Sequence, residues 1–261
     1  MNKILFTKMV GSGNDFVVIQ GKPSGNLSKL VKLICEPKFG IGADGVLFIQ
    51  KSKKSDISMR IFNADGSEAK MCGNGARCAA LFSGKKKLSI STGAGIIDAQ
   101  VLGNRAKIKI TEPKNIKLDI PLKIKNRLIK VNFMDTGVPH AVVFVNGIEK
   151  IDVNIIGSSI RNHAKFSPAG TNVNFVQVQG ANLIQIRTYE RGVEGETLAC
   201  GTGSIASALV FALKNNLNNL VKVKTQSSEI LKIYFKKVNT RFNQVWLEGS
   251  AKIVYKGEYY V

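Results

Sequence analysis

Short runs rich in Val and Ile, broken by Gly and Asn, dominate the chain and predict many strands. Residues 3–10 and 15–20 read as strands around Gly11-Ser12-Gly13. Leu30, Val31, Leu33 and Ile34 give residues 28–35 a helical face, and Pro37 stops it. Strands follow near 45–50 and 57–62, then a short helix from Asn74 to Phe82. Gly103-Asn104 joins two alternating strands, a hairpin signal. The second half repeats the order. It has strands near 128–134 and 139–145, a helix near 151–161, and strands at 172–179 and 183–190 flanking Gly180-Ala181-Asn182. A helix from Gly203 to about Leu213 and three or four closing strands complete it.

The repetition is sharpest where Cys72-Gly73-Asn74-Gly75 opens one helix and Cys200-Gly201-Thr202-Gly203 opens another. The elements before each motif come in the same order. We read an internal duplication: two α+β halves, each presenting a cysteine at a helix N-terminus. No low-complexity segment or Pro/Gly/Ser linker interrupts the sequence.

Length and composition narrow the class. The chain has 261 residues, 44% of them hydrophobic, enough for one large domain or two of ordinary size. Its 4 cysteines are too few for a disulfide scaffold. No apolar run approaches the roughly 18 residues of a membrane-spanning helix. The stretch Met1-Asn2-Lys3-Ile4-Leu5 lacks the features of a secretory leader. A soluble cytoplasmic protein with no membrane partner is expected. The net charge of +20 changes the picture little. It comes mostly from Lys in small runs along the whole chain, such as Lys85 to Lys87 or Lys123 and Lys125, and reads as solvated faces rather than a nucleic-acid site.

The two C-G-x-G cysteines carry the candidate chemistry. A helix N-terminus offers unpaired N–H groups and a partial positive charge, which bind carboxylates and lower a thiol's pKa. Flanking glycines let a ligand approach the backbone. Buried small hydrophobes fit Cys35 and Cys78 among apolar neighbours. For Cys72 and Cys200 that reading competes with a zinc site, a cysteine hydrolase using His140, and two-base chemistry beside a carboxylate. Zinc lacks C-x-x-C spacing and has only His140 and His163 to add. A hydrolase leaves one motif without a role. Two-base chemistry uses both motifs: one sulfur takes a proton from a carbon, and the other returns one on the opposite face.

At these residues the sequence resembles the diaminopimelate epimerases, over nearly its whole length. The marks are Gly13-Asn14-Asp15-Phe16, Gly42-Ala43-Asp44-Gly45, Phe62-Asn63-Ala64-Asp65-Gly66-Ser67, Met71 to Cys78, Pro139-His140, Gly170-Thr171-Asn172-Val173-Asn174, Glu190-Arg191-Gly192 and Gly195 to Gly203. The resemblance implies interconversion of LL- and meso-diaminopimelate without pyridoxal phosphate, metal or other cofactor, in a homodimer. Cys72 and Cys200 would be the acid–base pair, with His140 and Glu190 tuning the thiols. Asn14, Asn63, Asn172, Glu190 and Arg191 would bind substrate through side chains. Gly73, Asn74, Gly201 and Thr202 would do so through backbone donors, and Tyr255 would sit at the dimer interface.

The expected fold is α+β: two pseudo-symmetric domains, each a curved, mainly antiparallel sheet around a central helix. Residues 1–115 with 250–261 would carry Cys72 and residues 116–249 Cys200, with the substrate in the cleft between domains. Gly45 and Val138 stand where some family members have a substrate-contacting Gln and many have Asn.

Overall fold

The repeated order of elements is realised strand for strand in a computed structural model, which describes residues 3–21, 25–124 and 127–260. Met1, Asn2 and Lys125, on which the leader and charge readings partly drew, lie outside the described residues. The chain divides into two units, Met1–Lys109 with Glu248–Val261, and Ile110–Leu247.

The first unit runs β1 (Lys3–Gly11), β2 (Asn14–Gln20), α1 (Leu27–Cys35), β3 (Gly45–Gln50), β4 (Ile57–Asn63), β5 (Glu68–Ala69), α2 (Gly73–Phe82), β6 (Lys87–Thr92), β7 (Gly95–Leu102) and β8 (Arg105–Lys109). The second runs β9 (Lys114–Ile124), β10 (Arg127–Asp135), β11 (Pro139–Phe144), α3 (Val153–Arg161), β12 (Asn172–Gly180), β13 (Leu183–Glu190), β14 (Gly195–Thr197), α4 (Gly201–Lys214), β15 (Leu220–Lys224), β16 (Ile230–Val238) and β17 (Arg241–Ser250), whose last three residues pass into the first unit. A last strand, β18 (Lys252–Tyr260), belongs to the first unit.

Pairing repeats as faithfully as order. β1–β2 is antiparallel, β2–β3 parallel, β3–β4 antiparallel and β4–β6 parallel. In the second unit β10–β11, β11–β12, β12–β13 and β13–β15 follow the same alternation. The outer neighbour of β1 is β18, and that of β10 is β9, both antiparallel. Each unit thus takes its outer strand from a different place in the chain. The sheets are mixed rather than purely antiparallel, within a sheet-dominated α+β fold.

Strands covered on both faces read as continuous apolar runs. Val17, Ile19, Val46, Phe48 and Phe62 form one core with Val31, Ile34 and Cys35 of α1. Side chains alternate across a strand, so Phe16, Val18, Leu47 and Ile61 point the other way, toward α2. In the second unit Ala141, Val143, Val173, Phe175 and Tyr189 pack with Val153 and Ile160 of α3. The inner helices are buried along most of their length, from Asn74 to Ala80 in α2 and Gly203 to Ala212 in α4. The outer ones are amphipathic and side-chain capped: Asn26 accepts from Lys29 N at 3.1 Å and Asp152 from Ile155 N at 2.9 Å. The α3 region is shorter than the sequence suggests, because a 3₁₀ turn at Ile148–Lys150 precedes Asp152.

Candidate active site

Cys72 and Cys200 occupy the same position in the two units: each is the N-cap of its inner helix, with extended backbone (φ −142°, ψ 123° and φ −119°, ψ 113°). The helices begin at Gly73 and Gly201, one and two residues before the positions expected from sequence. Low glycine propensity suggests a later start, but the first turn lacks intrahelical N–H bonds and tolerates Gly there.

In the first unit Cys72 is half-buried and its Sγ accepts from Gly75 N at 3.5 Å. Asn74 Nδ2 donates to Asn14 Oδ1 at 2.6 Å, and Asn14 Nδ2 to Asp44 Oδ2 at 2.9 Å. Asp44 and Asp15 exchange backbone N–H bonds to each other's carboxylates at 3.1 and 3.0 Å. Arg77, wholly buried one turn into α2, donates to Asn74 Oδ1 at 2.9 Å and to Ser12 Oγ. Asn63 ends β4 and opens a turn, its Nδ2 on Ser67 Oγ at 3.0 Å, and Ala64 N donates to Asp44 O at 3.1 Å. Cys72, Gly73, Asn74, Asn14 and Asn63 are therefore linked around one helix end. Gly45 pairs with Asn63, and a Cβ there would lie 2.5 Å from Phe62 O, so a side chain cannot enter without moving β4.

In the second unit Cys200 is buried, its Sγ 3.5 Å from Thr202 Oγ1. The Glu190 carboxylate lies near enough to act on the thiol, and its Oε1 accepts from Thr197 Oγ1 at 2.6 Å. Sequence reasoning expects the helix end to lower the Cys200 pKa; the structure reverses this. Burial first, then the Glu190 carboxylate, hold the thiol far above its ordinary range, against the pull of the Thr202 hydroxyl and the Gly203 amide. Burial also raises Glu190, opposed by Thr197 and Cys200. In this state Cys200 carries a proton. Asn172 Nδ2 donates to Pro139 O at 3.0 Å, and its Oδ1 accepts from Arg191 N at 2.9 Å. Arg191 Nη1 reaches Ala169 O at 2.9 Å.

His140 is wholly buried beside Asn172, with which it is paired across β11 and β12. Burial, then the nearby Arg191 charge, push its pKa down to about 3. Its Nδ1 lies 3.1 Å from Asn174 Nδ2, while Nε2 is buried with no hydrogen-bond partner. Tyr255 lies elsewhere, half-exposed on β18 with an edge contact to Phe6 at 5.8 Å.

Sequence reasoning quoted Asp44, Asn174 and Thr197 only as marks of the resemblance, with no role at the site, and did not name Thr188. Asn174 had a signal: it is two residues from Asn172 on one strand, so both face the same side.

The family model of diaminopimelate epimerase matches residues 6–116 and 132–254. The chain is 41% identical over 277 residues to a diaminopimelate epimerase of Aquifex aeolicus, covering 97% of this chain and 96% of that one. It is 40% identical over 275 residues to one from Hydrogenobaculum, covering 97% and 98%. A Bacillus anthracis phenazine biosynthesis protein of the PhzF family shares the fold at TM-score 0.78 and 18% identity, over 100% of both chains. A hydroxyproline epimerase from Agrobacterium vitis does so at TM-score 0.67 and 16% identity, over 98% and 92%. Among the described residues no helix is long and apolar enough to cross a membrane. Full-length identity at this level, on a duplicated fold with a cysteine at each inner helix N-terminus, makes the chain a member of the diaminopimelate epimerase family.

Proposed function

We propose that this chain interconverts LL- and meso-2,6-diaminopimelate in the cytoplasm, with Cys72 and Cys200 as the two acid–base groups. The carrying observation is that both cysteines cap the inner helices of equivalent units. In one direction the Cys72 thiolate takes the α-proton and the Cys200 thiol gives its proton to the opposite face. The sulfurs end with exchanged states, and the reverse reaction uses them the other way round. Glu190 suits this cycle because its carboxylate keeps Cys200 protonated until the carbanion needs the proton. Charge developing on the substrate carboxylate meets helix-end amides at Gly73 and Asn74 and at Gly201 and Thr202, oriented before the reaction. Asn14, Asn63, Asn172, Glu190 and Arg191 serve as the side-chain contacts. The scheme requires no electron-sink cofactor.

We further assign a homodimer with Tyr255 at its interface. The half-exposed run Ile253, Val254 and Tyr255 on β18 supports this.

The test is epimerisation in deuterated water, read by mass spectrometry at low conversion from each stereoisomer. Product carries deuterium at the inverted carbon, while recovered substrate stays largely unlabelled. Substantial protium passed directly into product overturns the two-base assignment.

A further inference from the structure

The duplicated fold supplies its own comparison for the buried polar group around His140. Register aligns Phe16, Leu47 and Ile61 of the first unit with His140, Asn174 and Thr188 of the second. Phe16 lies opposite Gly45, and Leu47 opposite Val18 and Ile61. His140 lies opposite Asn172, and Asn174 opposite Val142 and Thr188. The contacts of the inner helices agree with this alignment. A Cβ on Gly75 would meet Leu47 and Ile61, and one on Gly203 would meet Asn174. All six side chains are buried. The fold is thus satisfied by an apolar trio at these positions. Burying three polar side chains in its place is unfavourable unless they are paired, and the trio leaves one polar atom, His140 Nε2, without a partner.

The hydrogen bonds fix which way each polar group points. Ala141 O can only accept, so the Asn174 atom 3.2 Å away is the amide nitrogen. Thr188 Oγ1 donates to Asn174 Oδ1 at 3.0 Å, holding the same orientation. The second hydrogen of Asn174 Nδ2 then points at His140 Nδ1. A neutral imidazole that accepts at Nδ1 carries its hydrogen on Nε2.

We infer that Asn174 is a positioning residue that locks His140 as the Nε2–H tautomer, so that His140 serves the proposed epimerisation as a hydrogen-bond donor and not as a proton acceptor. The role in epimerisation rests on the function proposed above; the tautomer does not. Accepting a proton at Nδ1 would require the Asn174 amide to turn, breaking its bonds to Ala141 and Thr188. The strong depression of the ring's basicity by burial acts in the same direction.

The chain has two histidines, so nitrogen-15 spectroscopy of the whole protein can read this directly. A His163→Gln variant, altering the half-buried cap of a 3₁₀ turn at Ala164–Phe166, assigns the signals. In the wild type, His140 Nδ1 should resonate as an unprotonated and Nε2 as a protonated nitrogen, unchanged between about pH 6 and 8. An unprotonated Nε2, or a ring that titrates in that window, overturns the inference. Because this readout needs no activity, it is independent of the substrate assignment. Asn174→Asp presents only acceptors to the ring and should move a proton onto Nδ1. The expected cost is a fall in kcat of about 100-fold or more, as for a wrong tautomer elsewhere, with KM changed little. Full kcat with Nδ1 protonated overturns the positioning role. Should that variant fail to fold, Thr188→Val loosens the amide more gently. It should give a partial tautomer shift with a matching partial loss of kcat, and loss of kcat with no shift counts against the inference.

Discussion

A Cβ added to Gly203 would lie 2.2 Å from Asn174 Oδ1, so the second glycine of the Cys200 motif is the surface on which the Asn174 amide rests. The matching Cβ on Gly75 would meet the tips of Leu47 and Ile61 at 3.0 and 3.3 Å, side chains that can give way. The same substitution should therefore act differently in the two units. Gly203→Ala should destabilise by roughly 1–3 kcal/mol through overpacking and reduce kcat, because displacing Asn174 disturbs His140. Gly75→Ala should cost less in stability. Thermal melts and steady-state kinetics on both variants check this; equal effects would argue that Asn174 moves freely.

Glu190 offers a test of sign. Its carboxylate raises the Cys200 thiol, second only to burial. In Glu190→Gln the charge is gone while a polar group remains beside Thr197. The Cys200 pKa should fall, yet stay above that of an ordinary thiol because burial persists. The alkylation rate of Cys200, followed by peptide mass spectrometry against pH, should rise at neutral and mildly alkaline pH. Epimerisation should weaken at the same time. An alkylation profile unmoved by the substitution would show that Glu190 does not set the thiol's protonation.

Much of this structure was legible in the chain. The strands around Gly11-Ser12-Gly13, the Gly103-Asn104 hairpin and the two C-G-x-G helices follow from periodicity and turn residues, which act locally. The short pairs β5 and β14 were not legible, since two or three residues carry no period. The site divides in the same way. Cys72 and Cys200 announce themselves by repetition, whereas Asn174 and Thr188 matter through cross-strand neighbours far apart in sequence. The protonated state of Cys200 could not be read either. A helix end argues for a thiolate, and only the fold reveals that burial and Glu190 outweigh it.

The four cysteines should separate cleanly. Cys72→Ala and Cys200→Ala each remove one acid–base group, a loss of roughly 10²-fold or more in kcat. Cys35 is buried against α1's core, with burial pushing its thiol up to about 11, and Cys78 is buried within α2. Cys35→Ala and Cys78→Ala should keep the mechanism and its solvent labelling pattern, at roughly 1–2 kcal/mol of stability each. Near-normal epimerisation by Cys72→Ala or Cys200→Ala would sink the acid–base assignment.

The last prediction removes the polar trio altogether. In His140→Leu/Asn174→Leu/Thr188→Val the hydrogen-bonded partners give way to apolar side chains, as in the first unit, where Phe16, Leu47 and Ile61 are buried at the same positions. Replacing all partners together leaves no orphaned side-chain group, so the change should be nearly neutral for folding at pH 7. Acid should then distinguish the proteins. His140 has its pKa pushed down to about 3 in the fold, below the ordinary value of 6.5, so the folded state favours the neutral ring. That contribution is fully present above about pH 6.5 and is lost as pH falls toward about 3, where protonation favours the unfolded chain. The triple variant should lack this loss. Its stability relative to wild type, from denaturant melts, should grow steadily through that window, while epimerase activity is absent at every pH. A constant difference between the two proteins would mean that His140 is not buried as a neutral ring.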